Sequence, residues 1–390
     1  MKVNKWTLGL AAVGLVSLPT LVQSEEKSSP VMTALSSTTI SGYVDTSAQW
    51  DIGTGNVNAP GFIYNKGKQD GFNLDKVKLR IEKPLDEAQW SAGYRVDLLF
   101  GPDANVFNTT STGFNTSDFA LQQAYVALRA PVLNGLDFKV GVFDSIVGYE
   151  SHDSVNNPNW TRSYGTTIEP HTHTGVLATY QAVDWLGVAV GIADTVGPTI
   201  DARANPPKAE SYKAYMTSIA LTAPDNMGFL KGSTLYAGVV NGFNPSATVG
   251  ADQTSWYAGA TIATPVTGLK LGISYDYLGI SHQPDLGIVN PYFANALAGY
   301  ASFQATEKLS FHGRTEYFWQ SPRAGAATLP AQVVALTGTV QYDLWKNVLS
   351  RLELRWDHSA NGLNAFGGDT SGEPTNKNAF MVALNVIYKF

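Results

Sequence analysis

Asn378-Ala-Phe-Met-Val-Ala-Leu-Asn-Val-Ile-Tyr-Lys-Phe390 decides how the rest of the chain is read. Counting back in twos from Phe390 gives Tyr388, Val386, Leu384, Val382 and Phe380, all apolar or aromatic. Between them stand Lys389, Ile387, Asn385, Ala383 and Met381, a mixed set. Successive side chains of a strand point to opposite faces, so the pattern makes a strand with one greasy face from end to end. Two settings suit such a strand. One is a soluble sandwich. The other is the wall of an outer-membrane barrel, with Phe380, Leu384, Val386, Tyr388 and Phe390 against lipid. The second setting predicts the same alternation along the whole chain and an export signal at its front.

The alternation recurs. Val348, Leu352, Leu354 and Trp356 oppose Arg351, Glu353, Arg355 and Asp357. Leu309, Phe311, Tyr317 and Trp319 oppose Lys308, Ser310, Arg314 and Glu316, and Leu271, Ile273, Tyr275 and Tyr277 oppose Lys270, Ser274 and Asp276. Nearer the front, Trp90, Tyr94, Val96 and Leu98 oppose Arg95 and Asp97, and Val77, Leu79 and Ile81 oppose Lys76, Lys78, Arg80 and Glu82. Counted along the chain there are about 16 such segments, an even number in the range of bacterial outer-membrane barrels. The gaps between them alternate long and short without exception. That rhythm suits long extracellular loops and tight periplasmic turns, and a sandwich has no need of it.

The front of the chain fits export. Lys2 and Lys5 precede a short apolar core, Leu8 to Val16, and Val22-Gln23-Ser24 supplies small residues before a cut. Residues 1–24 are therefore expected to be a signal peptide and 25–37 a polar periplasmic lead-in, leaving 38–390 as the barrel. No later stretch offers the ~18 consecutive apolar residues of a membrane-spanning helix.

Composition agrees. Only 15% of residues are charged, while 37 Gly, 18 Tyr, 17 Phe and 9 Trp are present. The absence of cysteine excludes disulfides, thiolate metal sites and a cysteine nucleophile. Without the signal the chain carries 24 basic against 32 acidic residues, which gives no basic footprint for nucleic acid.

The expected fold is thus all-β, a transmembrane up-and-down antiparallel barrel. In hydrocarbon every backbone N–H and C=O needs a partner, and a sheet provides that only by closing on itself. The polar face then lines the lumen, which at this size holds water. Arg80, Arg95, Asp97, Lys270, Asp276, Arg314, Glu316, Arg351, Glu353, Arg355 and Asp357 are the charges expected there. The alternating signs of Arg351, Glu353, Arg355 and Asp357 suit an electrostatic filter or a set of paired wall charges.

One ordered set of motifs goes beyond a generic barrel. Residues 121–129 read Leu-Gln-Gln-Ala-Tyr-Val-Ala-Leu-Arg and 141–150 read Gly-Val-Phe-Asp-Ser-Ile-Val-Gly-Tyr-Glu. Arg162-Ser163-Tyr164, Glu169-Pro170 and His171-Thr172-His173-Thr174-Gly175-Val176 follow. This order resembles the OmpL-like outer-membrane β-barrel porins. The resemblance implies a channel of undefined solute without catalytic residues. Many members carry a basic residue where Val142 stands, so no charge is carried over there.

The third and longest gap, 148–172, holds Glu150, His152, Asp153, Arg162, Glu169, His171 and His173. By analogy with general porins it would fold inward and narrow the lumen. The alternative is a loop over the rim.

Other chemistry has weaker support. His171 and His173 lie two apart, with Glu169 two before them, a spacing that nitrogen and oxygen metal ligands could use. The preferred reading is no metal and no cofactor. No Gly-x-Ser-x-Gly element appears, and His312, near Arg314 and Glu316, has no evident triad partners, so no enzyme is expected. The leading function is passive diffusion of small hydrophilic solutes or ions through an outer-membrane channel. Its expected partners are the bilayer, the outer-membrane assembly machinery acting on the C-terminal strand, and two further copies in a homotrimer. The alternatives are a non-conducting barrel used as a structural or surface-binding module, and a secreted soluble carbohydrate binder.

Overall fold

The structure is a computed structural model describing residues 37–53, 58–60, 68–86, 90–104, 118–204, 210–244, 252–281, 291–321, 330–368 and 372–390. The expected signal peptide and nearly all of the lead-in lie outside the described residues, as does His282.

Alternating sequence becomes strand wherever it was expected. The strands are β1 (Thr39–Asp51), β2 (Gly71–Lys83), β3 (Ser91–Phe100), β4 (Phe119–Ala130), β5 (Leu136–Asp144), β6 (Thr172–Val183), β7 (Leu186–Ala193) and β8 (Ala214–Thr222). They continue as β9 (Thr234–Phe243), β10 (Asp252–Ala263), β11 (Leu269–Ile280), β12 (Tyr292–Gln304), β13 (Leu309–Gln320), β14 (Gln332–Trp345), β15 (Val348–Ser359) and β16 (Asn378–Lys389). Each pairs antiparallel with its neighbours in sequence, and β1 pairs with β16, so the sheet closes. At the seam Gly42 and Phe390 exchange backbone hydrogen bonds in both directions, 2.9 and 3.0 Å.

The two faces sort by polarity. Phe380, Leu384, Val386, Tyr388 and Phe390 are 42–50% exposed on the outside, whereas Ala383, Asn385 and Ile387 are at most 1% exposed on the inside. Leu352 and Leu354 lie outside; Arg351, Glu353, Arg355 and Asp357 point inward and are buried. A soluble sandwich would bury the first set, so that reading is overturned.

The register shifts at four places among the described strands, two of them beside the short turns at Gln181/Val183 and Asp343/Trp345 and two within the wall. The β1–β2 register skips Asp75, so Asp75 and Lys76 both turn inward and are buried. Phe72 and Leu74 face outward before this bulge, and Val77, Leu79 and Ile81 take the outer face after it. The β3–β4 register likewise skips Gln122, and Gln122 and Gln123 are both buried inside. An extra residue in one strand re-aims the side chains beyond it.

Candidate functional site: a crossbar through the lumen

Residues 145–171, between β5 and β6, run inside the barrel. The base of this loop is pinned by Ser145 N–H donating to His171 O at 2.9 Å. Asn157 builds its first turn: its side chain accepts from Ser151 N–H at 2.8 Å and donates to Ser151 O and Asp153 O. A single helical turn, α1 (Tyr164–Ile168), follows, with the Ser163 hydroxyl accepting from Thr166 N–H as N-cap. Five residues cannot hold a helix unaided, so its persistence rests on the wall.

That wall is β13–β15. Glu353 accepts backbone N–H bonds from Trp160 and Thr161 at 2.6 and 2.9 Å, and a further bond from the Thr161 hydroxyl. Glu316 accepts from Tyr164 N–H at 2.6 Å. Arg314 donates to Glu150, Glu316, Thr161 O and Arg162 O at 2.6–3.1 Å. Arg355 bonds Asp357 and Arg162 O, and its guanidinium lies 5.4 Å from the Tyr164 ring centroid. The Tyr164 hydroxyl donates to Asp357, and burial together with that carboxylate pushes its pKa well above the ordinary value. Arg351 donates to Ser154 O and Asn157 O. These wall charges were expected to border a column of water. Instead they are 0–4% exposed, because the loop backbone occupies that place and satisfies them.

The opposite flank, β2–β5, is made of side-chain ion pairs. Lys78 and Arg80 both bond Asp97 on β3 and Asp153 on the loop, and Arg95 adds a 2.7 Å bond to Asp97. Burial raises the Asp153 pKa, but Lys78 and Arg80 outweigh it and hold the carboxyl well below the usual carboxylate range. Solvent reaches this flank from both ends: the Asp144 side chain is 33% exposed at the long-loop end, Arg80 25% and Arg95 15% towards the short-turn end. His152 packs edge-on against His171, 5.1 Å between centroids, and its Nδ1 lies 3.5 Å from Asp144. Burial, then the neighbouring His152, pushes His171 down to about 4. Lys139 lies 5.1 Å over the Tyr125 ring.

The third flank is apolar. Ile146 and Val147 pack with Leu177, Met216, Tyr236 and Val240 from β6, β8 and β9, and the Tyr236 hydroxyl donates to Ile146 O. Tyr149 stacks on Tyr300, 4.2 Å between centroids. Lys270, lower on the wall, is half-buried and makes no ion pair among the described residues. Glu169, half-buried, and Asp276, buried, lie side by side where α1 meets β11.

Among the described residues the histidines are held apart from one another and from any triad geometry, save for the His152–His171 contact. Both His312 ring nitrogens lie 2.9 Å from hydroxyls, Ser310 and Ser302, with no carboxylate to orient the ring as a triad requires. His173 faces Ser145 while His171 faces His152, so the pair diverges. Among the described residues no three His, Asp or Glu side chains are grouped to hold a metal ion.

Lys78, Trp160 and Thr161 belong to this site and were not among the sequence candidates. Lys78 shares the inward parity of Arg80. Trp160 and Thr161 carry no periodic signal, though a tryptophan within a long polar loop is itself a mark of burial.

A closed sixteen-stranded antiparallel wall, apolar outside, polar inside and crossed by its third loop, defines an outer-membrane β-barrel of porin architecture. The chain belongs to the family described as putative beta-barrel porin-2, OmpL-like, whose model matches residues 37–390, and is a passive-diffusion channel of the outer membrane. Solved structures share the fold at low identity. An anion-selective porin from Comamonas acidovorans matches at TM-score 0.59 and 13% identity, over 91% of this chain and 99% of that one. Salmonella typhi OmpF in complex with daunomycin matches at 0.61 and 12%, over 90% and 97%. The trimer form of Vibrio cholerae OmpT matches at 0.55 and 12%, over 90% and 99%. A search of curated proteins finds no match.

Proposed function

We propose that small hydrophilic solutes pass along the β2–β5 flank, between the loop and the wall, and are filtered at Lys78, Arg80, Arg95, Asp97 and Asp153. Three flanks differ in what they can admit. The β6–β10 side is apolar and would leave an ion unsolvated. The β13–β15 side holds loop backbone through buried carboxylates and guanidiniums, so a passage there requires the loop to be pulled apart. The β2–β5 side is closed mainly by side-chain ion pairs with water at both ends. The observation that carries the reading is that one carboxylate, Asp97, serves three cations whose outer edges, at Arg80 and Arg95, stay solvent-accessible. Those edges favour anions at the narrow zone, whatever the net charge of the whole chain.

The test is single-channel recording in planar bilayers. The native protein gives discrete steps with a reversal potential favouring chloride over potassium in a salt gradient. Arg80→Ala with Arg95→Ala moves that potential towards potassium. An unchanged potential puts the path on another flank. Silence at every voltage, from protein whose heat-modifiable migration shows it folded, leaves the non-conducting barrel. That second reading is favoured by one observation, the docking of the loop on three sides.

The same reading includes export through residues 1–24, insertion by the assembly machinery through the Phe380–Phe390 pattern, and a homotrimer. The trimer form of a fold relative supports the last, and mass measurement in detergent tests it. A diffusion pathway needs no chemistry at the crossbar, so the reading leaves Asp153 at the filter and gives Glu150, His152, Arg162, Glu169, His171 and His173 positional roles.

A further inference from the structure

We propose that Glu169 on the loop and Asp276 on β11 form a proton-held latch, which seats this flank of the crossbar while the pair shares a proton and releases it when both carboxyls ionise. The argument starts from charge. Four carboxylates converge here: Glu150 and Glu169 from the loop, Asp276 from β11 and Glu316 from β13. Arg314 is the cation that joins them, and it is committed to Glu150 at 2.8 Å and Glu316 at 2.6 Å. Among the described residues no lysine, arginine or histidine forms an ion pair with Glu169 or Asp276. The remaining titratable groups beside the pair are phenols: Tyr149 on the loop, whose backbone N–H also bonds Glu169, and Tyr257 on β10, with Tyr300 on β12 stacked behind Tyr149.

Two bare carboxylates facing each other in a buried site repel strongly, whereas one proton between them makes a short charge-assisted hydrogen bond. The surroundings fit a shared proton. Asp276 Oδ1 is buried without a conventional donor among the described residues. Two glycines leave room for the pair: a Cβ on Gly148 would lie 2.4 Å from Glu169 Oε2, and one on Gly165 would lie 2.4 Å from Asp276 Oδ2. Gly148 also has φ +121°, a conformation that glycine adopts without strain. Gly165 belongs to α1, so the latch grips the helical turn that the loop carries into the lumen. Burial, then Asp276 and Glu150, pushes Glu169 well above the ordinary carboxylate range, the direction that a shared proton requires.

Hydrogen exchange of the Gly165–Glu169 amides in the folded, detergent-solubilised protein reads the latch whether or not current flows. Between pH 7 and 9.5, after correction for intrinsic base catalysis, exchange accelerates at least tenfold in the native chain. Asp276→Asn and, separately, Glu169→Gln supply a permanent N–H donor in place of the shared proton and remove the acceleration. Heat-modifiable migration confirms that each variant is folded, and the two isosteres check one another. Equal acceleration in native protein and both isosteres overturns the latch, as does no acceleration in the native chain. In bilayers the native conductance rises over the same range and the isosteres stay level; silence there counts against the channel reading and leaves the exchange result standing.

Discussion

Arg314 on β13 and Glu150 on the loop lie 164 residues apart in sequence and meet at 2.8 Å, their side chains 0% and 2% exposed. The guanidinium bridges wall to crossbar, because the same group also holds Glu316 and the carbonyls of Thr161 and Arg162. Replacing Arg314 by Met leaves two buried carboxylates without their counter-charge, a change of about 3–5 kcal/mol against loop docking. The sheet itself stays closed. The expected outcome is unchanged heat-modifiable migration with fast hydrogen exchange across residues 150–164 and a larger single-channel conductance.

Glu353 gives a smaller effect of the same kind. Its carboxylate caps two successive backbone N–H groups, at Trp160 and Thr161. Glu353→Gln keeps the shape and loses the charge assistance, about 1.5–3 kcal/mol for such bonds. Exchange at the Trp160 and Thr161 amides should speed up by one to two orders of magnitude, while the β14–β16 amides remain protected.

Leu384 and Ala383 are neighbours on opposite faces of β16, and their variants should separate wall from crossbar. Leu384→Arg places a charge in lipid near mid-strand and costs ~2–4 kcal/mol in a folding titration in liposomes. Ala383 packs with Trp160 inside. Ala383→Leu overfills that contact by about 1–3 kcal/mol, read as displaced loop and altered conductance at normal barrel stability.

Acid should loosen the base of the loop through His171. The seated ring has its pKa lowered to about 4, and a released loop restores the ordinary value near 6.5. Its contribution to docking is therefore full above pH ~6.5 and lost as pH falls towards 4. Asp153 behaves differently: its folded pKa is depressed, so its contribution persists above the ordinary carboxylate range and fades only below it. Exchange near residues 169–172 should rise between pH 6.5 and 4 with the Asp153 end still protected, and His171→Gln should flatten that dependence.

The wall was legible because a two-sided environment prints itself on every second residue. Phe380 to Phe390 carries the pattern in its plainest form, and the ends of β2, β4 and β15 coincide with the limits of their alternation. Asp75 and Gln122 were not legible as bulges, since one inserted residue leaves the apolar content of a strand unchanged. The loop was recognisable by length, and its charged residues by type. Their partners were not, because contacts such as Tyr164 to Glu316 depend on a three-dimensional closure that local spacing does not encode. The burial of Arg351, Glu353 and Arg355 followed from the same omission: parity places them inside, and only the docked backbone removes them from water.

The bonds that fasten the crossbar to β13 and β15 span 152 to 193 residues of chain. The seam that closes the ring reaches further still, 340 residues between Asp45 and Asn385. Both sets of contacts are long-range, and neither rewards the chain until most of it is in place. Folding should accordingly be one slow, concerted step in which wall and crossbar arrive together.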